Sequence, residues 1–155
     1  MLKLPVIELF LRLIPEAFLL IFAAYVFSKT PVNKGRYILS SILFGSINYF
    51  IRLLPIDYGI HSVLGLILFV ILLTNINKIN VIKSIQAVFI NTITMFICEG
   101  VNVIIIQFIL KKDMNLVFGD PISKTIYGAP SLLIFACVVG VYYFWSLKRN
   151  EFRHV

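Results

Sequence analysis

Five stretches of this chain stay apolar for about 20 residues at a time, the length that carries a helix across a hydrocarbon layer of roughly 30 Å. They run over approximately residues 4–28, 37–54, 60–77, 84–110 and 126–147. In hydrocarbon every backbone N–H and C=O needs a partner inside the protein, so stretches of this length are expected as helices. The expected fold is an all-α integral membrane protein, one multi-span domain over residues 1–155 with about five transmembrane helices. Composition points the same way. With 60% hydrophobic and 14% charged residues and a mean hydropathy of +0.98, too few polar side chains remain to cover a water-facing surface. The first stretch does not read as a cleavable signal peptide, because it is too long and Glu8, Arg12 and Glu16 interrupt it. Turn-forming segments separate the stretches: KTPVNKGR at 29–36, PIDYG at 55–59, NINK at 75–78 and KKDMNLVFGDPISK at 111–124. The fourth stretch is long enough to tilt, or to break near Gly100.

The formal charge of +7 has two conventional sources, nucleic-acid binding and the basic loops of membrane proteins. No basic motif with interleaved aromatics accompanies it, so no nucleic-acid partner is expected. The distribution of charge fits the second source. Lys29, Lys34, Arg36, Lys78, Lys83, Lys148, Arg149 and Arg153 fall on one side of the expected spans, with Glu151 the lone acid there. The other side and the spans hold Lys3, Arg12, Arg52, Lys111, Lys112 and Lys124, balanced by Glu8, Glu16, Asp57, Glu99, Asp113 and Asp120. Cytoplasmic loops retain Lys and Arg, which predicts the N-terminus outside and the C-terminus in the cytoplasm. Tyr142, Tyr143 and Trp145 would then form an aromatic belt at the inner interface.

Polar residues inside the spans recur at helical spacing. Glu8, Arg12 and Glu16 lie four apart; Ser41, Gly45, Asn48 and Arg52 follow at 4, 3 and 4; Thr94, Cys98 and Asn102 form a third stripe with Glu99 at its edge. Most fall in the outer halves of their helices, which predicts a polar cavity open to the outside. The hairpin IRLLPIDYGIHS would set Arg52, Asp57 and His61 at its lip, with Asn48 and Glu99 deeper. Glu99 has no opposite charge nearby in sequence, so it needs Arg12, Arg52, His61, water or a proton. Arg52 suits a carboxylate through a bidentate bond. Structural readings stand beside these. The first triad can neutralise itself, the Ser41–Asn48 stripe can be a packing seam, and Arg52 and Asp57 can reach the interface or pair locally.

Catalytic and metal-binding patterns are poor. Cys98 and Cys137 make no CxxC or ligand spacing, and a Cys98–His61 pair would need a third group to orient the base and has no local signature to support it. No phosphate or dinucleotide loop is present, so neither an enzyme nor a cofactor is expected. The order of an acidic first helix, a basic inner loop, RLLPIDYGIHS across the second hairpin and CEGVN in the fourth helix carries a likeness. This layout resembles the membrane-embedded sensor portion of bacterial histidine kinases of the accessory-gene-regulator, GHKL-ATPase type. The resemblance spans residues 1 to about 147 and implies a multi-pass protein of the bacterial cell (inner) membrane that responds to an extracellular peptide or small molecule. It departs in lacking a phosphoacceptor segment and an ATPase domain after FRHV, which implies signalling through a membrane or cytoplasmic protein partner.

The expected function is thus a non-enzymatic membrane sensor or regulatory subunit with an outward polar pocket. A substrate-binding subunit of a vitamin-type transporter and a scaffold of an envelope complex are the alternatives. The topology is tested by single-cysteine labelling in intact cells on a background without Cys98 and Cys137. Positions Asp57 and Asn115 should react with an impermeant reagent, and Asn33 and Asn77 should be shielded. Reaction at Asn33 from outside would reverse the orientation.

Overall fold

The computed structural model describes residues 12–109, 111 and 121–149, and the described residues contain five α-helices and no strand. The helices are α1 (Ile14–Phe27), α2 (Lys34–Leu53), α3 (Tyr58–Asn75), α4 (Val81–Ile104) and α5 (Pro121–Lys148). A π-helical turn, Ile105–Ile109, continues α4, and Arg12 and Leu13 lie in a π-type turn leading into α1. Glu8, the VFGD segment at 117–120, Asn115 and the tail beyond Arg149 lie outside the described residues.

Local chemistry places the helix ends. Asn33 caps α2 by accepting from the Arg36 N–H at 3.4 Å, and Asn80 caps α4 by accepting from the Ile82 N–H at 3.0 Å. Pro sits in the first turn of α1, where its missing N–H would have had no helical partner. α1 ends in a left-handed residue, Lys29 (φ 54°), with Lys29 N–H donating to Val26 O and Thr30 N–H to Tyr25 O. That pattern satisfies two carbonyls at the helix end, and the lysine charge complements the helix dipole there. Lys78 (φ 57°) ends α3 in the same backbone region. α4 runs unbroken through Gly100 and departs from α geometry only at Ile105. α5 begins at Pro121, five residues before the expected start, and carries Pro130 inside it.

α1 is the central helix, packed against α2, α4 and α5, while α3 joins α2 to α4. Its sequence explains the position. Ala17, Ala23 and Ala24 are buried and let neighbours approach closely. Gly45 of α2 faces Ala17, and a Cβ there would sit 3.4 Å from the alanine methyl. Ile21, Tyr25, Phe44, Phe69 and Leu73 fill the core on the α2–α3 side, and Ala23, Val26, Cys98, Phe135 and Val139 fill it on the α4–α5 side. Successive helices alternate in direction, since Asn48 lies beside Gly65, Asn91 reaches Leu20 and Asn102 reaches Tyr127.

Two helical segments, Val81–Ile109 and Ile126–Lys148, are long and apolar enough to cross a membrane. Only 28% of the apolar window in each is buried, so most of that apolar surface faces outward. Their outward faces present Phe89, Ile93, Phe96, Ile97, Leu133, Val141 and Phe144. α1 and Gly59–Asn75 are apolar but shorter, and the serines, Gly45 and Asn48 dilute α2.

The two ends of the bundle differ in chemistry. One carries Lys29, Lys34, Arg36, Lys78, Lys83, Lys148 and Arg149, with the Arg149 guanidinium 4.1 Å over the Trp145 ring. Just inside it, Asn77 is buried and its Oδ1 accepts from the hydroxyls of Tyr25 at 2.7 Å and Ser40 at 3.2 Å. Asn77 is therefore a structural link between three helix ends rather than an open loop position, and Lys78 is the better labelling site. Tyr25→Phe should lower stability by about 1 kcal/mol, because Ser40 still serves the amide oxygen. Asn77→Leu should cost more, since it strands the buried Tyr25 hydroxyl. Thermal unfolding of both variants in one detergent checks the order.

Candidate functional site

The opposite end of the bundle holds a cavity of about 250 Å³ where α1, α4 and α5 converge. Arg12 reaches it from the π-type turn before α1. Glu99, Asn102 and Val103 reach it from α4, Ile106 from the following π turn, and Tyr127, Gly128 and Ser131 from α5. π turns widen a helix locally and are frequent at functional sites. Here one lies on each of two elements that wall the cavity.

Asn102 sets the spacing of α4 and α5. It is 5% exposed, and its side-chain N–H donates to the Tyr127 carbonyl at 2.8 Å. Pro130 lies three residues beyond that carbonyl, where a missing N–H and a ring clash disturb the helical ladder. The Ser131 hydroxyl donates to the Gly128 carbonyl at 2.6 Å, supplying a local bond where regular pairing is interrupted. Gly128 has a second purpose. A Cβ on it would meet the Arg12 guanidinium at 3.0 Å from Nη1 and 3.2 Å from Cζ, so the absent side chain is what lets Arg12 lie against α5. Two of the cavity-lining residues have a buried polar atom with no hydrogen-bond partner among the described residues, Arg12 Nε and Asn102 Oδ1; His61 Nδ1, Asn77 Nδ2 and Asn91 Oδ1 are in the same condition away from the cavity. Native interiors leave few such atoms unpaired.

The structure gathers some of the expected site residues and disperses others. Arg12 and Glu99 share the cavity, and Asn102 of the third stripe joins them. Arg52, Asp57, His61 and Asn48 do not line it. Arg52 is exposed in the last turn of α2, and Asp57 is the exposed N-cap of α3, where its backbone carbonyl rather than its carboxylate accepts from Ile60 and His61. His61 is half-buried with Nδ1 unpartnered among the described residues. Asn48 faces α3, its Oδ1 lying 3.4 Å from where a Gly65 Cβ would stand. Ser41 and Gly45 are buried against the bundle, and the Ser41 hydroxyl donates to Tyr37 O at 2.7 Å. That stripe is a packing seam. Thr94 donates to Ile90 O within its own helix, and Cys98 sits in the α4–α5 core, in a cluster that does not include His61.

Tyr127, Gly128 and Ser131 were not expected at a site. The segment YGAPS carried a usable sign, since a glycine and a proline two residues apart inside an apolar helix mark close approach and a broken ladder. Comparison of the chain with protein-family models, curated proteins and solved structures returns no match.

Which arginine answers Glu99 is open to a double-mutant cycle. Arg12→Gln and Glu99→Gln should be non-additive in thermal stability, with a coupling of about 0.5–3 kcal/mol expected for side chains in one polar network. Arg52→Gln with Glu99→Gln should add simply. A coupled Arg52 cycle and an additive Arg12 cycle would reverse the assignment.

Proposed function

We propose that this protein is a multi-pass membrane protein of the bacterial cell (inner) membrane, with five spans, the N-terminus outside and the C-terminus in the cytoplasm. It acts as a non-enzymatic sensor or regulatory subunit that binds a small ligand from the outer side and signals through a protein partner. The observation that carries this reading is the polar cavity of Arg12, Glu99 and Asn102, set at the end of the bundle opposite the seven basic residues. Maintaining charged and unsatisfied groups inside an apolar bundle is costly, and such groups usually mark a ligand or ion path. The resemblance of the sequence layout to the sensor portion of accessory-gene-regulator-type kinases supports the same reading.

The packing offers a route for the signal. Arg12, in the turn leading into α1, and α5 both wall the cavity at one end, and α1 and α5 touch nearer the basic end, where Phe22 meets Tyr143 at 5.4 Å and Phe27 meets Tyr142 at 5.4 Å between ring centroids. A ligand that binds better to one spacing of these helices than another shifts that equilibrium by its differential affinity. The shift would be read at Tyr142, Tyr143 and the Trp145–Arg149 stack, next to the basic tail that a cytoplasmic partner would contact.

In a strain that depends on the protein, Arg12→Gln or Glu99→Gln should reproduce the deletion phenotype with normal abundance in the membrane fraction. Truncation after Leu147 should abolish partner co-purification while leaving the outer cavity intact. Full function of a variant replaced at Arg12, Glu99 and Asn102 together would leave the scaffold alternative in place of a sensor.

A further inference from the structure

We propose that the cavity takes a small zwitterion, a molecule with an acidic group for Arg12 and an N–H-bearing ammonium for Glu99 and Asn102. This rests on reading the cavity as the ligand site and goes on to name the chemistry of what enters it. Arg12 and Glu99 bring one formal charge of each sign to a single space of about 250 Å³. Asn102, 5% exposed, has given its amide N–H to the Tyr127 carbonyl, which leaves Oδ1 as an acceptor without a donor. Arg12 Nε is the reverse, a buried donor without an acceptor.

Single-charge ligands fit badly. A carboxylate alone would engage Arg12 but set its charge against Glu99 and leave Asn102 Oδ1 unsatisfied. An amine alone would engage Glu99 and Asn102 but face the guanidinium with its own positive charge. Either choice leaves a buried polar group unpaired, whereas a molecule carrying both groups answers all three side chains. Val103 and Ile106 provide an apolar wall for a substituent. The volume lies below the roughly 300–1,000 Å³ of sites for drug-sized molecules, which favours something the size of one amino acid or one lipid headgroup. A free α-amino acid and an ethanolamine phospholipid headgroup share the required pair of groups. A choline headgroup does not, because its quaternary ammonium has no N–H for Asn102 or Glu99.

The test uses the full-length protein in phosphatidylcholine nanodiscs and follows thermal unfolding with L-leucine, isocaproate or isoamylamine added, then repeats it in nanodiscs containing phosphatidylethanolamine. L-leucine should raise the Tm by several degrees at saturation while each single-charge analogue has little effect. If phosphatidylethanolamine raises it and L-leucine does not, the zwitterion is the lipid headgroup. Arg12→Gln should abolish the shift. Glu99→Gln removes the negative charge that repels a carboxylate, so that variant should gain a response to isocaproate, a gain that misfolding cannot imitate. A wild-type shift with isocaproate or isoamylamine equal to that with L-leucine would overturn the zwitterion while leaving a ligand cavity. Absence of any shift also overturns it, and the sensor reading falls with it only where Arg12→Gln and Glu99→Gln strains keep full function.

Discussion

The whole arrangement depends on how closely α1 can be approached from three sides. Ala17 against Gly45 on one side, and Ala23 in the core with Phe135 and Val139 on another, set distances that larger side chains would not allow. Within lipid, where the proposed function puts the bundle, no hydrophobic force acts between helices, and this close packing with the hydrogen bonds it permits would hold them. Asn91 of α4 illustrates the dependence. It is fully buried and donates to the Leu20 carbonyl at 3.2 Å, a bond that forms only because the two backbones lie close. The same proximity brings Arg12, at the start of α1, over the backbone of Gly128.

Polar groups inside such a bundle meet two different fates here. At the basic end most are engaged in structure: Tyr25 and Ser40 share Asn77 Oδ1, Ser28 donates to Tyr25 O, and Tyr37 reaches Phe18 O, while Asn77 Nδ2 has no partner among the described residues. At the other end Asn102 is half-used, and Arg12 retains an unserved donor. A satisfied network rigidifies, whereas an unsatisfied one stores an unmet demand for a partner.

The helices were legible because an apolar run of spanning length leaves the backbone few alternatives. Their ends were less so. The polar letters of PISKT read as loop, yet Pro121 opens α5, since proline at the first helical position sacrifices only an N–H that had no partner. Asn80 likewise caps α4, which begins at Val81, three residues before the expected start. For the site, Arg12 and Glu99 stood out because charge in a span is expensive wherever it lies. Arg52, Asp57 and His61 stood out for a weaker reason, nearness in sequence. None of the three lines the cavity, which is walled by Arg12, α4 with its π turn and α5 and by no residue of α2 or α3. The Tyr127 carbonyl left no sign, since a backbone acceptor looks the same at every position.

The mixed fate of the polar stripes follows from neighbours rather than from spacing. Ser41, Gly45 and Asn48 are as regularly placed as Thr94, Cys98 and Asn102, yet the first set is absorbed by packing and the second reaches the cavity through only its last member. What distinguishes Asn102 is the helix opposite it. α5 presents Gly128 there, whose missing side chain leaves room for the Arg12 guanidinium instead of a direct helix-to-helix contact. Opposite Gly45, by contrast, α1 presents Ala17 and the surfaces meet. A polar residue on a helix therefore becomes a site only where its partner helix withholds complementary volume. In this bundle the residue that withholds it, Gly128, lies far in sequence from Arg12 and Glu99, the charges it shares the cavity with.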